Sequence, residues 1–212
     1  MATKEQAPGV LRSRPQRADA RRNYEKLISA ARDAFAEDGT SASLEDIARR
    51  AGVGIGTLYR HFPTRQDVFE SVYVDEVEAL CRAADELPTD LSAWDALVAW
   101  LHRFVLYAAT KRALAETLNH DSKLILSCRS EVYAAGEPLL QRAQEAGAAR
   151  PDTSFDDVVR LISGITMIRF AEPDQIERVL AMALDGLRYQ PPSTGRTDTT
   201  KPARPSRQRA AP

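Results

Sequence analysis

The chain has 212 residues, 43% of them hydrophobic, with 29 Lys and Arg against 30 Asp and Glu and a formal net charge of −1. That length supports one or two compact units with a sizeable core and excludes a small scaffold stapled by disulfides. Cys81 and Cys128 stand alone in apolar stretches without a Cys-x-x-Cys spacing, so a reducing, cytoplasmic setting is expected. The first twenty residues hold no apolar run, and the longest run, around residues 96–101, is far short of a membrane span; neither secretion nor membrane insertion is expected.

Near-neutrality conceals a division along the chain. Residues 1–65 carry 12 basic and 8 acidic side chains (+4), residues 66–190 carry 12 and 21 (−9), and residues 191–212 carry 5 and 1 (+4). A basic N-terminal third joined to an acidic body points one end of the molecule at a polyanion.

Residues 1–18, rich in Arg, Pro and Gln, read as a disordered basic arm, and residues 190–212, rich in Pro, Thr and Arg, as a disordered basic tail. Between them apolar residues recur at helical spacing and no strict alternation marks a strand, so the fold is predicted to be all-α, with about nine helices. They divide into a three-helix unit at 19–66 and a helical bundle at 67–189. Asp19 is expected to cap a first helix with Tyr24, Leu27, Ile28, Ala31, Ala34 and Phe35 on one face and Gly39 at its end. Ser43 with Asp46 opens a short second helix that Gly52 ends, and a third runs from about Gly54 to Phe62. After Pro63, Thr64 with Asp67 forms a capping box for a long fourth helix reaching to Pro88.

Ser92 with Asp95 starts a fifth helix that is apolar on most sides, as a buried central helix must be. A short helix near 112–118 follows, then one over about 123–146 that Pro138 is expected to kink and Gly147 to end. Two more close the bundle, at about 155–169 and 173–188, the last opened by Pro173.

The stretch Ser43 to Phe62, SLEDIARRAGVGIGTLYRHF, carries the chemistry. Two short helices joined by a glycine-containing turn make a helix-turn-helix, whose second helix enters the major groove while the first crosses the backbone. Val53, Leu58 and Phe62 are the inward positions; Gly54, Ile55, Gly56, Thr57, Tyr59, Arg60 and His61 are left outward. Gly56 allows close backbone approach to a duplex, Thr57 suits a phosphate or a thymine methyl, and Arg60 can reach a guanine edge. Tyr59 and His61 can donate to phosphate oxygens, and His61 can also cap its helix. Ser43, at the start of the preceding helix, is grouped with these DNA-facing residues. Arg65 lies in the first turn of the fourth helix, where a cation opposes the macrodipole unless an anion is near; a phosphate there would satisfy it. Arg21 and Arg22, on the first turn of helix one, are placed to meet phosphate, while Arg12 and Arg14 are either a minor-groove arm or a solvated tail.

Residues 20–66, above all Ala51-Gly52-Val53 followed by Gly56-Thr57-Leu58-Tyr59 and His61-Phe62, resemble the DNA-binding domain of the tetracycline-repressor (TetR) family of bacterial transcription regulators. Lys111 to Leu118 (KRALAETL) is similar to the C-terminal domain of the SbtR-like subgroup. The resemblance implies that Thr57, Tyr59 and His61 contact DNA and that Arg65 takes the place of a phosphate-binding Lys. Gly54 stands where many members have a Ser or Thr cap, and Ile55 replaces a commonly polar position.

From these readings the expected function is that of a homodimeric repressor that binds double-stranded DNA at a palindromic operator and is released by a small-molecule effector of unknown identity. Dimerisation is expected through the last two helices, by stripes comprising Val158, Ile162, Ile165, Ile176, Val179, Leu180, Ala183 and Leu187. Trp100, Phe104 and Tyr107, on the central helix, are the first candidates for a ligand pocket, with Trp94, His102, His120, Cys128, Met167 and Phe170 behind them. No cofactor and no membrane contact are expected. The scattered His and Cys predict no metal site, and no nucleophile-base spacing predicts catalysis. An activator, an effector-independent repressor, and a small-molecule-binding or catalytic bundle with a vestigial helix-turn-helix remain open.

Overall fold

The computed structural model describes residue 15 and residues 17–113, 123–168, 170 and 172–189. Among these it contains eight α-helices: α1 (Ala18–Asp38), α2 (Leu44–Arg50), α3 (Ile55–His61), α4 (Arg65–Asp85), α5 (Ala93–Ala113), α6 (Lys123–Glu145), α7 (Phe155–Thr166) and α8 (Pro173–Leu187). No strand forms among the described residues, so the fold is all-α, close to the nine helices expected. The helix expected near 112–118 is met in part by α5, which runs on to Ala113; its remaining residues, and His120, lie outside the described ones.

Local chemistry sets most boundaries. Ser43 caps α2 by accepting from the Asp46 N–H, and Thr64 with Asp67 forms the reciprocal capping box of α4, each cap contributing about 1 kcal/mol. Ser92 accepts from the Asp95 N–H at the start of α5. Asp19 is not a cap: α1 begins at Ala18, behind Arg17, and Asp19 sits in the first turn paired with Arg22, where its charge favours the helix N-terminus. α2 ends in a Schellman motif, with the Val53 N–H bonded to the Ala48 carbonyl at 3.0 Å, the Gly52 N–H to that of Arg49 at 3.1 Å, and Gly52 at φ 68°. This left-handed glycine turns the chain from α2 into α3. α6 continues through Pro138 without a break.

α1, α2 and α3 close on a small core of Leu27, Ile28, Ala31, Phe35, Ile47, Leu58 and Phe62 that runs into α4. α4 is shared: its first turns seal this unit, with Phe35 against Phe69 at 4.5 Å between ring centroids, and its later turns pack on α5 and α6. α5 is the central helix, touching α1, α4, α6 and α7. Gly136 of α6 lies so close to α5 and α7 that a Cβ there would sit 2.5 Å from the Trp100 ring and 2.3 Å from that of Phe155. α7 and α8 pack on one another at the edge of the bundle, and a short bridge between Ala149 and Arg188 ties the end of α8 to the loop after α6.

The dimerisation stripes expected from sequence need correction. Val158, Ile162, Ile165, Leu180 and Leu187 are buried by the chain's own core, and Ile176, Val179 and Ala183 pack against it. The large apolar residues left exposed on α7, just after it and on α8 are instead Leu161, Met167, Ile168 and Met182, the last 73% exposed.

Candidate nucleic-acid interface and cavity

α3 turns one side inward and one out. Leu58 is fully buried, while Gly54, Ile55, Gly56, Tyr59 and Arg60 are exposed and Thr57 and His61 half-buried. Glycine inside a helix costs about 0.5–1 kcal/mol relative to alanine. Nothing in the fold requires that sacrifice at Gly56, because a Cβ there would meet no heavy atom within 4 Å. Ile55 and Tyr59, 37% and 46% exposed, likewise present large apolar surface to solvent. Gly54 is the N-cap and offers α3 no side-chain cap, so the N–H groups of its first turn point outward.

The flanks of α3 come from three other helices. His61 packs edge-on against Tyr24 of α1, with 6.1 Å between centroids, and burial pushes its pKa below the ordinary value. Arg21 lies one turn before Tyr24 on the same side of α1 and pairs loosely with Glu25; Arg22 pairs with Asp19. Ser43 is exposed, but its hydroxyl accepts the α2 cap and donates to Glu45 at 2.8 Å.

Arg65 has partners within the chain. Its guanidinium donates to the Ala42 carbonyl at 2.5 Å and lies over the Phe69 ring at 5.2 Å. Arg65 thus ties the start of α4 to the loop before α2. Arg50 plays a similar part, joining α2 to Glu37 of α1 at 2.8 Å and to Asp46. The Arg50 hydrogen bond holds the Glu37 carboxyl below its usual range, and the hydrogen bonds of Arg49 and then Arg50 do the same for Asp46.

A second feature lies in the body. A cavity of about 370 Å³ opens between α5, α6 and α7. Phe104 and Tyr107 line it; Trp100 does not, because it is fully enclosed and its indole N–H donates to the Leu80 carbonyl of α4 at 3.1 Å. Residues that sequence reasoning missed complete the wall: Lys111, Arg112, Arg129, Tyr133 and Asp156. Arg129 and Tyr133 stand one turn apart on α6, and that i, i+4 spacing was the one signal available for them. Met167, a secondary candidate, is also on the wall.

Tyr107 connects this cavity to α4. Its hydroxyl is hydrogen-bonded to that of Tyr73 at 2.8 Å, and burial pushes the Tyr73 phenol up to about 12. Within one turn of Tyr73, Asp75 and Glu76 receive Arg32 of α1, the former at 2.8 Å. Cys81 and Cys128 are shielded thiols, pushed by burial up to about 11 and about 12, and neither is poised to react. Among the described residues no group of His, Cys, Asp and Glu is placed to hold a metal ion, and no helix is long and apolar enough to cross a membrane.

A recessed helix-turn-helix core with an outward α3, mounted on a helical body, defines a class: DNA-binding transcriptional regulators. Comparison with known proteins names the family. Residues 27–72 match the bacterial regulatory proteins of the tetR family, and residues 92–189 match the C-terminal domain of SbtR-like transcriptional regulators. The chain is 38% identical to a TetR transcriptional regulator from Streptomyces coelicolor, over 77% of this chain and 97% of that one, with a TM-score of 0.68. It is 33% identical to a TetR regulatory protein from Mycobacterium vanbaalenii, over 82% and 100%, with a TM-score of 0.66. An uncharacterised HTH-type transcriptional regulator of Mycobacterium tuberculosis shares 26% identity over 72% of this chain and 83% of its own, and an HTH-type regulator of Staphylococcus aureus 28% over 38% and 44%. The protein belongs to the TetR family of transcriptional regulators, with an SbtR-like C-terminal domain.

Proposed function

We propose that this regulator is a cytoplasmic repressor that acts by binding rather than catalysis: a homodimer holding a palindromic operator and releasing it when a small molecule fills the α5–α7 cavity. Residues 19–66 read DNA, and residues 67–189 sense and dimerise. The observation that carries DNA reading is the surface of α3, where a glycine with open space above it adjoins exposed Ile55, Tyr59 and Arg60. Gly56 admits the duplex backbone, Ile55 meets a methyl group, Arg60 a base edge, and Thr57, Tyr59 and His61 phosphates. Arg21 and Arg22 extend the phosphate contacts from α1.

Release by ligand is supported by the connection from cavity to α4. A molecule bearing on Tyr107 moves Tyr73, and the adjacent Asp75 and Glu76 pass that shift to Arg32 and α1. Ligand and operator are then reciprocally linked, with a coupling of about 1–3 kcal/mol. Dimerisation uses the exposed Leu161, Ile168 and Met182 face; Leu161→Glu with Met182→Glu gives monomers in sedimentation.

Fluorescence anisotropy with a duplex from the promoter of the chain's own gene tests the reading. Binding should weaken steeply with salt, and Tyr59→Phe and Thr57→Val should each lower affinity by about 1–3 kcal/mol without changing the circular dichroism. Salt-insensitive binding, or two neutral variants, contradicts it.

A further inference from the structure

The cavity has a charge that the body around it lacks. Residues 66–190 hold nine more acidic than basic side chains. Yet the described cavity wall sets Lys111, Arg112, Arg129 and Arg160 against one carboxylate, Asp156. That carboxylate is already engaged: it accepts from the Tyr133 hydroxyl at 2.6 Å and from Arg160, and Arg129 lies 3.5 Å away. The Tyr133 hydrogen bond, then that of Arg160, hold its carboxyl below the ordinary range. Arg112 is used too, donating to the Thr166 carbonyl at 2.7 Å and closing the last turn of α7.

Lys111 is different. Its ammonium is half-buried, and no carboxylate among the described residues pairs with it. Burial, and after it the charge of Arg129, push its pKa down, a penalty that an arriving anion reverses. The same wall carries apolar and aromatic groups, with the Phe104 and Tyr107 rings 5.5 Å apart and Val132 and Val159 beside them. The volume, about 370 Å³, lies within the range of small-molecule sites.

We infer that the cavity takes a small apolar molecule ending in one carboxylate, its charge meeting Lys111 and its body lying against Phe104, Tyr107, Val132 and Val159. The carboxylate is assigned to Lys111 because Arg129 and Arg160 already face Asp156 and Arg112 is held by the Thr166 carbonyl. This ligand class rests on the effector reading for its biological role, but not for its existence.

Calorimetric titration of the full chain with 2-naphthoate and with 2-naphthamide, its neutral counterpart, reads the inference directly. The acid should bind about tenfold more tightly than the amide, or better. Lys111→Met should remove that preference, and Lys111→Arg should restore it. Equal affinities in the wild-type protein, no binding of either compound, or a preference that survives Lys111→Met would overturn the inference. Operator affinity with and without 2-naphthoate separates the two readings: selective binding of the acid that leaves DNA affinity unchanged supports the ligand class and sinks the effector role.

Discussion

The DNA-facing unit and the cavity are both surfaces awaiting a partner, yet they are built in opposite ways. α2, the Gly52 turn and α3 form within twenty consecutive residues, by capping and a Schellman motif, and what marks the outward face is Gly56, with open space where a side chain would sit, beside exposed Ile55, Tyr59 and Arg60. The cavity is assembled from α5, α6 and α7, and its residues do a great deal for the fold: Asp156, Arg129, Arg160 and Tyr133 satisfy one another, and Arg112 closes α7. Substitutions on α3 should therefore separate binding from stability, whereas substitutions near the cavity should move both together.

The largest effect that sharpens this contrast is expected at Gly56. Gly56→Glu meets open space within the chain, so thermal stability should hold, while a carboxylate in the groove should lower operator affinity about 100-fold or more. Gly56→Ala should stabilise the fold by about 0.5–1 kcal/mol and still weaken DNA binding, and these opposite signs are the mark of a surface kept for a partner. Gly136 is the counter-case. Gly136→Ala drives a methyl group into the Trp100 and Phe155 rings and should destabilise the chain by about 1–3 kcal/mol in denaturant unfolding, with DNA affinity lost only in proportion to unfolded protein.

Smaller effects test the connection between the two regions. Tyr73→Phe removes the hydroxyl shared with Tyr107 and should reduce the ligand-induced change in operator affinity several-fold, within a total coupling of about 5- to 150-fold, while DNA affinity without ligand changes little. The smallest is a titration. His61 is shifted down by burial, so the unfolded chain binds its proton more tightly; the neutral imidazole's contribution is complete above about pH 6.5 and fades as pH falls toward the folded value. Proton NMR should place His61 below 6.5 in the free protein and higher in the operator complex, beside phosphate. An unshifted value on adding operator would remove His61 from the contacts.

How far each region could be read in the sequence follows from the same contrast. The caps at Ser43, Thr64 and Ser92, the turn at Gly52 and the inward set of Leu58 and Phe62 are local signals, and each stands in the structure as expected. Arg65 shows the limit of local reading: its acceptor, the Ala42 carbonyl, lies twenty-three residues earlier and leaves no local signal. α5 shows another. A helix apolar all round gives no sign of which face borders a cavity, so Trp100 read as lining although its indole is locked to Leu80. Lys111, Arg129 and Asp156 share a wall only because α5, α6 and α7 pack as they do. The α7 and α8 stripes show the same limit, since strong apolar stripes satisfy the chain's own core first and leave Leu161 and Met182 outside.

Selection from a pool of random duplexes by the purified full-length protein tests the central claim most directly. The account predicts enrichment of an inverted repeat whose half-sites lie about one helical turn apart, or a multiple of it, with the enrichment lost in Gly56→Glu. A selection that yields no inverted repeat, or one that Gly56→Glu reproduces unchanged, would contradict the assignment of α3 as the reading surface of a symmetric dimer.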